Sequence, residues 1–233
     1  HDHLDYHGSF KNYVLAKKIF FDELSPKAFA LVNYDDKNGK VMLQNTRARK
    51  YGYSFTGRGD YNAKIIESHF EGSRLSINER ETWIRLPGRF NAYNCLAVFA
   101  AGDLLGFNNE ELLTDLSNQK PVEGRFEILR SDNGVTAIVD YAHTPDALEN
   151  VLLTINDLRR ENNRLITITG AGGDRDKTKR PVMARIAALN SDRVILTSDN
   201  PRTEQPEEII NDMKRGLDSD LQEKIVSITE REE

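Results

Sequence analysis

Residues 164–210 read RLITITGAGGDRDKTKRPVMARIAALNSDRVILTSDNPRTEQPEEII, and this stretch decides the fold. RLITITG is a β-branched run that ends on glycine, and a charged, glycine-rich loop follows it; Pro181 then opens a pattern that predicts a helix. The cycle repeats at once: RVILTS is a strand, SDNPRTEQP a loop, and Pro206 starts a second helix. Strands alternating with helices predict parallel βαβ units. Working outward, VTAIVD (135–140) is a strand leading to a helix from Thr144 with Pro145 at its first position, and KIVSIT (224–229) is a closing strand. Upstream of about residue 120 the pattern changes. NAYNCLAVFAAGDLL (91–105) predicts a helix with Asn91 as N-cap and Gly106 as stop. AKIIESHF (63–70) and RLSINERETWIRL (74–86), separated by the turn signal EGS, predict an antiparallel meander. The expected class is α/β, with one domain over 1–120 and a second, built on a mostly parallel sheet, over 121–233.

In open parallel sheets ligands bind at the carboxyl ends of the strands, where loops feed helix N-termini. Three strand-to-helix loops qualify: DYAHTPD (140–146), GAGGDRDKTKRP (170–181) and SDNPRTEQP (198–206). All three are expected on one edge of one sheet. Ordinary turn and capping chemistry accounts for Asp, Asn and Gly in any one of them, but it does not account for charge of this density in all three. The glycines of GAGGDRD do not form G-x-G-x-x-G, and Asp174 would repel a pyrophosphate; the G-x-x-x-x-G-K-[ST] loop occurs nowhere. The remaining reading is a tight backbone turn that aims Arg175 at a carboxylate or phosphate.

Composition narrows the classes. With 38% hydrophobic and 30% charged residues the chain is expected to be a soluble globular protein. A net charge of −5 without a long Lys/Arg block gives a nucleic-acid backbone little to bind. The longest apolar run, CLAVFAA at 95–101, is too short to span a bilayer and the lone Cys95 leaves no disulfide framework, so no signal peptide and a reducing cytoplasm are expected. The opening HDHLDYHGSFKNYVLAK places three histidines and two acids before a helix capped by Ser9. From that helix onward Phe10, Tyr13, Val14, Phe20, Phe21 and Leu24 form an apolar stripe at helical spacing with Lys17 in its middle. Such a lysine either snorkels outward or is buried as a nucleophilic amine that takes up CO2 as a carbamate.

Six ordered blocks, HDHLDYHGSFKNYVLAK, LPGRFNAYN, VEGRFE, VDYAHTPDALE, GAGGDRDKTKRPVM and TSDNPRTEQPEEII, together resemble the Mur ligases over nearly the whole chain. The resemblance implies the second half of a central ATPase domain followed by most of a Rossmann-like amino-acid-adding domain. It implies a metal site for Mg2+ formed by His3 and carbamylated Lys17, with ATP as co-substrate. Asn91 and Asn94 then match residues that approach adenine, Arg125 an arginine reaching the nucleotide, and Asp140 with His143 the ATP-side edge of the last domain. Arg175 matches an arginine that binds the incoming amino acid, and Asp199, Asn200, Pro201 and Arg202 match the DNPR signature of members that add meso-diaminopimelate. The implied reaction phosphorylates the D-glutamate γ-carboxylate of UDP-MurNAc-L-Ala-D-Glu, after which the diaminopimelate amine attacks the acyl phosphate to give an amide, ADP and phosphate. The family's P-loop and uridine-binding residues would precede position 1 and a GKGHE-like block would follow Glu233, so the chain alone is expected to be inactive. A monomer is expected. Other ligases of the superfamily, such as a lysine-adding or folylpolyglutamate enzyme, and a noncatalytic nucleotide or amino-acid binding module, are the alternatives; His1, His7 and His69 are read as exposed or structural.

Overall fold

The computed structural model describes residues 8–231. The chain divides into two compact units, one over Ser9–Asp140 and one containing Tyr141 to the C-terminus. It is a mixed α/β protein.

The first unit is built on a five-stranded sheet in the order β1-β2-β3-β4-β5, formed by Phe29–Asn33, Arg49–Ser54, Tyr61–His69, Gly72–Ile77 and Arg80–Ile84. β3, β4 and β5 are the expected antiparallel meander. RLSINERETWIRL nevertheless contains a second turn, at Asn78 and Glu79, both at positive φ (45° and 68°). That is the geometry of a two-residue hairpin whose backbone twist matches the strands. β1 and β2 pair in parallel with one another, and β2 with β3, an element the sequence reading did not anticipate. Helix α1 spans Phe10–Asp22, with Ser9 accepting the Asn12 amide as expected of an N-cap, and α2 is a single turn, Gly39–Met42.

Helix α3, Arg89–Leu104, lays Ala92, Cys95, Leu96 and Phe99 onto Leu75, Ile77 and Ile84 of the sheet. Its N-cap is Gly88, not Asn91. Asn91 sits inside the first turn and donates Nδ2 to Pro87 O at 2.8 Å, so it reaches back to a carbonyl rather than capping an amide. Gly106 is the stop the sequence predicts: at φ 88° it donates to Asp103 O, and Phe107 donates to Gly102 O, the paired bonds of a Schellman motif. Helix α4, Asn109–Asn118, follows, capped by Asn108.

VTAIVD behaves differently from expectation. Its strand β7, Thr136–Val139, pairs antiparallel with β6, Glu127–Arg130, as a separate two-stranded hairpin, with the turn made by Ser131 to Val135. A strand followed by a helix looks the same in sequence whether its partner lies upstream or downstream, so alternation alone could not assign it.

In the second unit β8 (Ile166–Thr169), β9 (Arg193–Leu196) and β10 (Ile225–Ser227) form a wholly parallel sheet in the order β10-β9-β8. Helix α5, Pro145–Leu158, starts as predicted, with Thr144 Oγ1 accepting the Ala147 amide at 3.3 Å. Helix α6, Lys179–Asn190, starts two residues before Pro181. α7, Pro206–Lys214, begins at its predicted proline, and a short α8, Ser219–Gln222, precedes β10. Leu148 and Leu152 of α5, Met183 and Ala184 of α6, and Met213 of α7 pack over Val194 and Leu196 of the sheet. The buried positions of α6 are 180, 183, 184, 187 and 188, a regular helical stripe whose first member is arginine.

Candidate functional site at the strand-end loops

Two of the three predicted loops, 170–178 and 197–205, leave the carboxyl ends of the adjacent parallel strands β8 and β9. The third follows β7, which is not a strand of that sheet, so the expectation of three loops on one sheet edge is corrected to two. Within the same unit the 141–144 segment still reaches this place by one bond, Lys179 Nζ donating to His143 O at 3.1 Å.

The two loops are interlocked. The Gly173 amide donates to Asn200 O at 2.9 Å. A Cβ on Gly173 would stand 1.9 Å from Pro201 O, so only glycine lets the two backbones approach this closely. Asp174 accepts the Thr203 hydroxyl at 2.7 Å and its amide at 3.2 Å. In return Glu204 accepts the Asp174 amide at 2.7 Å. Arg202 donates Nη1 to Gly173 O at 2.6 Å. Asp174 and Arg202 both stand at positive φ, 52° and 51°. A non-glycine residue in that region costs about 1–2 kcal/mol and persists where its surroundings over-determine it.

Behind the loops lies Arg180, fully buried. It forms a fork with Glu204 (2.7 and 3.0 Å), pairs with Asp212 on α7 (2.8 Å) and points Nη2 at Gly172 O (3.4 Å). Lys177 adds a further cation to Glu204 at 2.8 Å. Hydrogen bonds from Arg180 and Lys177 hold the Glu204 carboxyl far below the usual carboxylate range. Glu204, just before α7, thus pairs with Arg180 and Lys177, while Arg202 in the same loop turns to Gly173 O. Asp199 is engaged from the chain's end, where Arg231 donates Nη2 to it at 2.7 Å and Nε to Ser198 O at 2.6 Å. Arg175 and Asn200 are exposed. The site residues that sequence reasoning missed are Arg180, Glu204 and Arg231. For Arg180 the signal was present, since it is in phase with the apolar stripe of its helix.

In the first unit Phe90 and Phe126 bring the start of α3 close to the residue after Arg125, their ring centroids 6.1 Å apart. The Phe126 amide donates to Asp140 at 2.8 Å, which turns the chain at a φ of 48°. Asn94 and Arg125 are exposed. In the second unit His143 is exposed, with Nδ1 3.1 Å from Tyr141 O. Asp35, after β1, collects four donors that the sequence reading did not mark: Ser54 Oγ and Thr56 Oγ1 at 2.7 Å each, the Phe55 amide at 2.6 Å and Tyr93 OH at 2.8 Å. Burial alone would raise its pKa, but the bonds from Thr56, Phe55, Ser54 and Tyr93 outweigh it and bring it to about 2. Cys95 is buried, and desolvation pushes its thiol up to about 11.

His3 lies outside the described residues. Lys17 is exposed, its Nζ 5.4 Å from the Tyr13 ring centroid. The buried lysine of α1 is its neighbour Lys18, paired with Asp22. Phe10, Tyr13, Val14, Phe21 and Leu24 of the stripe are sheltered as expected, whereas Phe20 faces outward and the lysine on the sheltered face is Lys18 rather than Lys17. Among the described residues no three His, Cys, Asp or Glu side chains gather to hold a metal. Among the described residues no helix is long and apolar enough to cross a membrane.

A parallel sheet with two interlocked, cation-bearing loops at its carboxyl edge defines an α/β unit suited to holding a small anionic ligand. Comparison with known proteins makes the class specific. The Mur ligase middle domain matches residues 1–102, and the Mur ligase glutamate ligase domain matches residues 124–233. The chain belongs to the Mur ligase family. It is 56% identical over 232 residues to the UDP-N-acetylmuramoyl-L-alanyl-D-glutamate--2,6-diaminopimelate ligase of Bacteroides thetaiotaomicron, covering 100% of this chain and 48% of that protein. To the ligase of the same name from Halalkalibacterium halodurans it is 41% identical over 226 residues, 94% of this chain and 46% of that protein. A solved structure of a ligase of that name aligns at a TM-score of 0.58 and 35% identity, covering 99% of this chain and 48% of that one. MurF from Acinetobacter baumannii aligns at 0.74 with 19% identity over 97% of this chain and 48% of its own, a likeness of fold alone. The chain spans about half the length of the curated relatives it matches.

Proposed function

We propose that this chain carries the amino-acid-adding half of an ATP-dependent ligase that joins meso-diaminopimelate to UDP-MurNAc-L-Ala-D-Glu, a step in peptidoglycan precursor synthesis. The observation that carries the reading is the pair of interlocked loops that bear Arg175 and Arg202. Diaminopimelate differs from lysine by one distal carboxylate, and a guanidinium offers that group a planar two-point donor. Arg202 spends only Nη1 on Gly173 O, which leaves the rest of its fork available to a ligand. Asp199, Asn200 and Pro201 would shape the loop around it, and Arg175 would hold a second anionic group.

On the nucleotide side we assign Asn91, Asn94, Arg125, Asp140 and His143 to ATP, with His3 and carbamylated Lys17 holding Mg2+. The exposure of Lys17 supports access by CO2, although burial would not then be what activates its amine. We place the domain boundary at 120/121, between the two family matches. A cytoplasmic setting fits the single thiol.

Titration of the chain with meso-diaminopimelate and with lysine tests the reading. We expect meso-diaminopimelate to bind at least about tenfold more tightly, because one charge-assisted pair is worth more than the roughly 1.4 kcal/mol this ratio requires. Equal affinities would overturn the specificity. No binding of either would favour a module that recognises something else.

A further inference from the structure

We infer that Arg180 and Glu204 are positioning residues for amino-acid selection: they clamp the 170–178 loop onto the 198–205 loop, and so fix where the Arg175 and Arg202 side chains point. This rests on the proposed function, and it concerns residues that make no direct contact with the amino acid in that reading.

The argument begins with the place of Arg180. An arginine at the head of a buried helical stripe is costly unless every charge-bearing group is matched. Here three partners lie on three different segments: Gly172 O on the first loop, Glu204 on the second and Asp212 on α7. The Nη groups are thus occupied, whereas buried Nε has no partner. An ion network kept for stability alone could be replaced, all of its partners together, by well-packed apolar side chains at little loss. What an apolar side chain could not do is hold Glu204 in the orientation that accepts the Asp174 amide. That bond matters because Asp174 and Arg202 are the two non-glycine residues at positive φ among the described residues of this unit; one precedes a proposed ligand-binding arginine and the other is one. Asp174 is directly followed by Arg175, so the backbone at 174 sets the direction in which Arg175 leaves the loop. Arg202 is tied to Gly173 O, the carbonyl immediately before Asp174. A shift of the Asp174 amide therefore moves both cations together. The Thr203 to Asp174 bonds close the circuit from the other loop.

Two measurements on the 233-residue chain test the inference. The first needs no ligand: the two Nη groups of Arg202 should give separate 15N NMR signals in the wild type because the Nη1 bond to Gly173 O slows guanidinium rotation, and in Glu204→Gln they should merge as in a free arginine. An unchanged Arg202 signal in Glu204→Gln would overturn the clamp whatever the ligand is. The second measures selection: Glu204→Gln and Arg180→Lys should reduce the meso-diaminopimelate to lysine affinity ratio by at least about fivefold, with lysine affinity nearly constant. Equal loss for both amino acids would show a merely structural role and also overturn the inference. If the wild type binds neither amino acid, the proposed function fails, and the NMR signal still decides the clamp. Should Glu204→Gln fail to fold, Thr203→Val removes only the second tie, and it should loosen the Arg202 signal in the same direction; no change there would count against the clamp.

Discussion

In the 9–140 unit a carboxylate, Asp35, gathers the loop after β2; in the 141–231 unit a guanidinium, Arg180, gathers the loops after β8 and β9. Both ions stand behind the carboxyl ends of parallel strands, and both tie a strand-end loop to a helix, α3 through Tyr93 and α7 through Asp212. Their surroundings differ. Asp35 is half-buried and surrounded by neutral donors, so protons can remove its charge. Arg180 is buried, keeps its charge at any ordinary pH, and depends on two carboxylates. A hub with neutral partners can be switched off by acid, whereas a hub built of ion pairs fails mainly when a partner is deleted.

Deleting Arg180 is the largest test of that contrast. Arg180→Met leaves Glu204 and Asp212 without their cation. Breaking a buried pair from one side costs about 3–5 kcal/mol, and the partial exposure of both acids brings the expectation to about 2–4 kcal/mol. The melting midpoint of that unit should fall by roughly 10–20 °C, while the other unit melts as before. A loss below about 1 kcal/mol, as for exposed pairs, would erase the distinction between the two hubs.

Next in size is Arg202→Ala. Loss of the cation proposed for the distal carboxylate should weaken meso-diaminopimelate binding at least about tenfold and leave lysine nearly unchanged. Calorimetric titration with both amino acids reads it. Parallel losses would reduce Arg202 to its bond with Gly173 O.

The two hubs also show what could be read from sequence. The second unit was legible in its strands and helix starts because β-branched runs, prolines and glycines mark each boundary, and the loops were marked by charge. The buried ion is marked only indirectly, by the helical spacing of Arg180, Met183, Ala184, Ala187 and Ala188. In α1 the stripe of Phe10, Tyr13, Val14, Phe21 and Leu24 is the sheltered face, yet its lysine is Lys18 and not Lys17; neighbouring residues differ by about 100° of rotation, so a stripe fixes a face more securely than a single cation on it. The Asp35 hub was not legible at all. Its donors lie 19 to 58 residues away in sequence, and no local pattern links them. The pairing of β1 with β2 and of β6 with β7 escaped for the same reason, since a strand's partner is a long-range fact.

A smaller effect concerns acid. The folded pKa of Asp35, about 2, lies below the ordinary aspartate value of about 3.9. Its stabilisation is therefore complete above the unfolded value, and it is lost as pH falls from about 5 toward 2. Asp35→Asn should melt below the wild type at pH 7, and the gap should close on acidification through that window. A gap that persists at pH 2 would mean that Asp35 acts through shape rather than charge. Glu204 is depressed further, so its contribution should outlast that of Asp35 as acid is added.

The smallest effect separates two kinds of backbone strain. Glu79 occupies the second position of the β4–β5 turn at φ 68°, exposed, where a glycine suits the left-handed geometry. Arg202 and Asp174 have nearly the same φ, yet each is held by side-chain bonds across the loops. Glu79→Gly relieves about 1–2 kcal/mol of left-handed strain and adds about 0.5–1 kcal/mol of chain entropy to be lost on folding, so the net should be a gain of about 0.5 kcal/mol. Arg202→Gly and Asp174→Gly relieve the same strain but forfeit one and two hydrogen bonds to the facing loop respectively, each worth about 0.5–1.5 kcal/mol, and in addition free the loop backbone. They should be neutral or destabilising. Denaturant midpoints of the three variants decide: if all three rise alike, the strain at 174 and 202 is ordinary turn strain and the interlocked loops contribute nothing beyond it; if only Glu79→Gly rises, the strain at the loops is held in place by the bonds that also aim the two arginines.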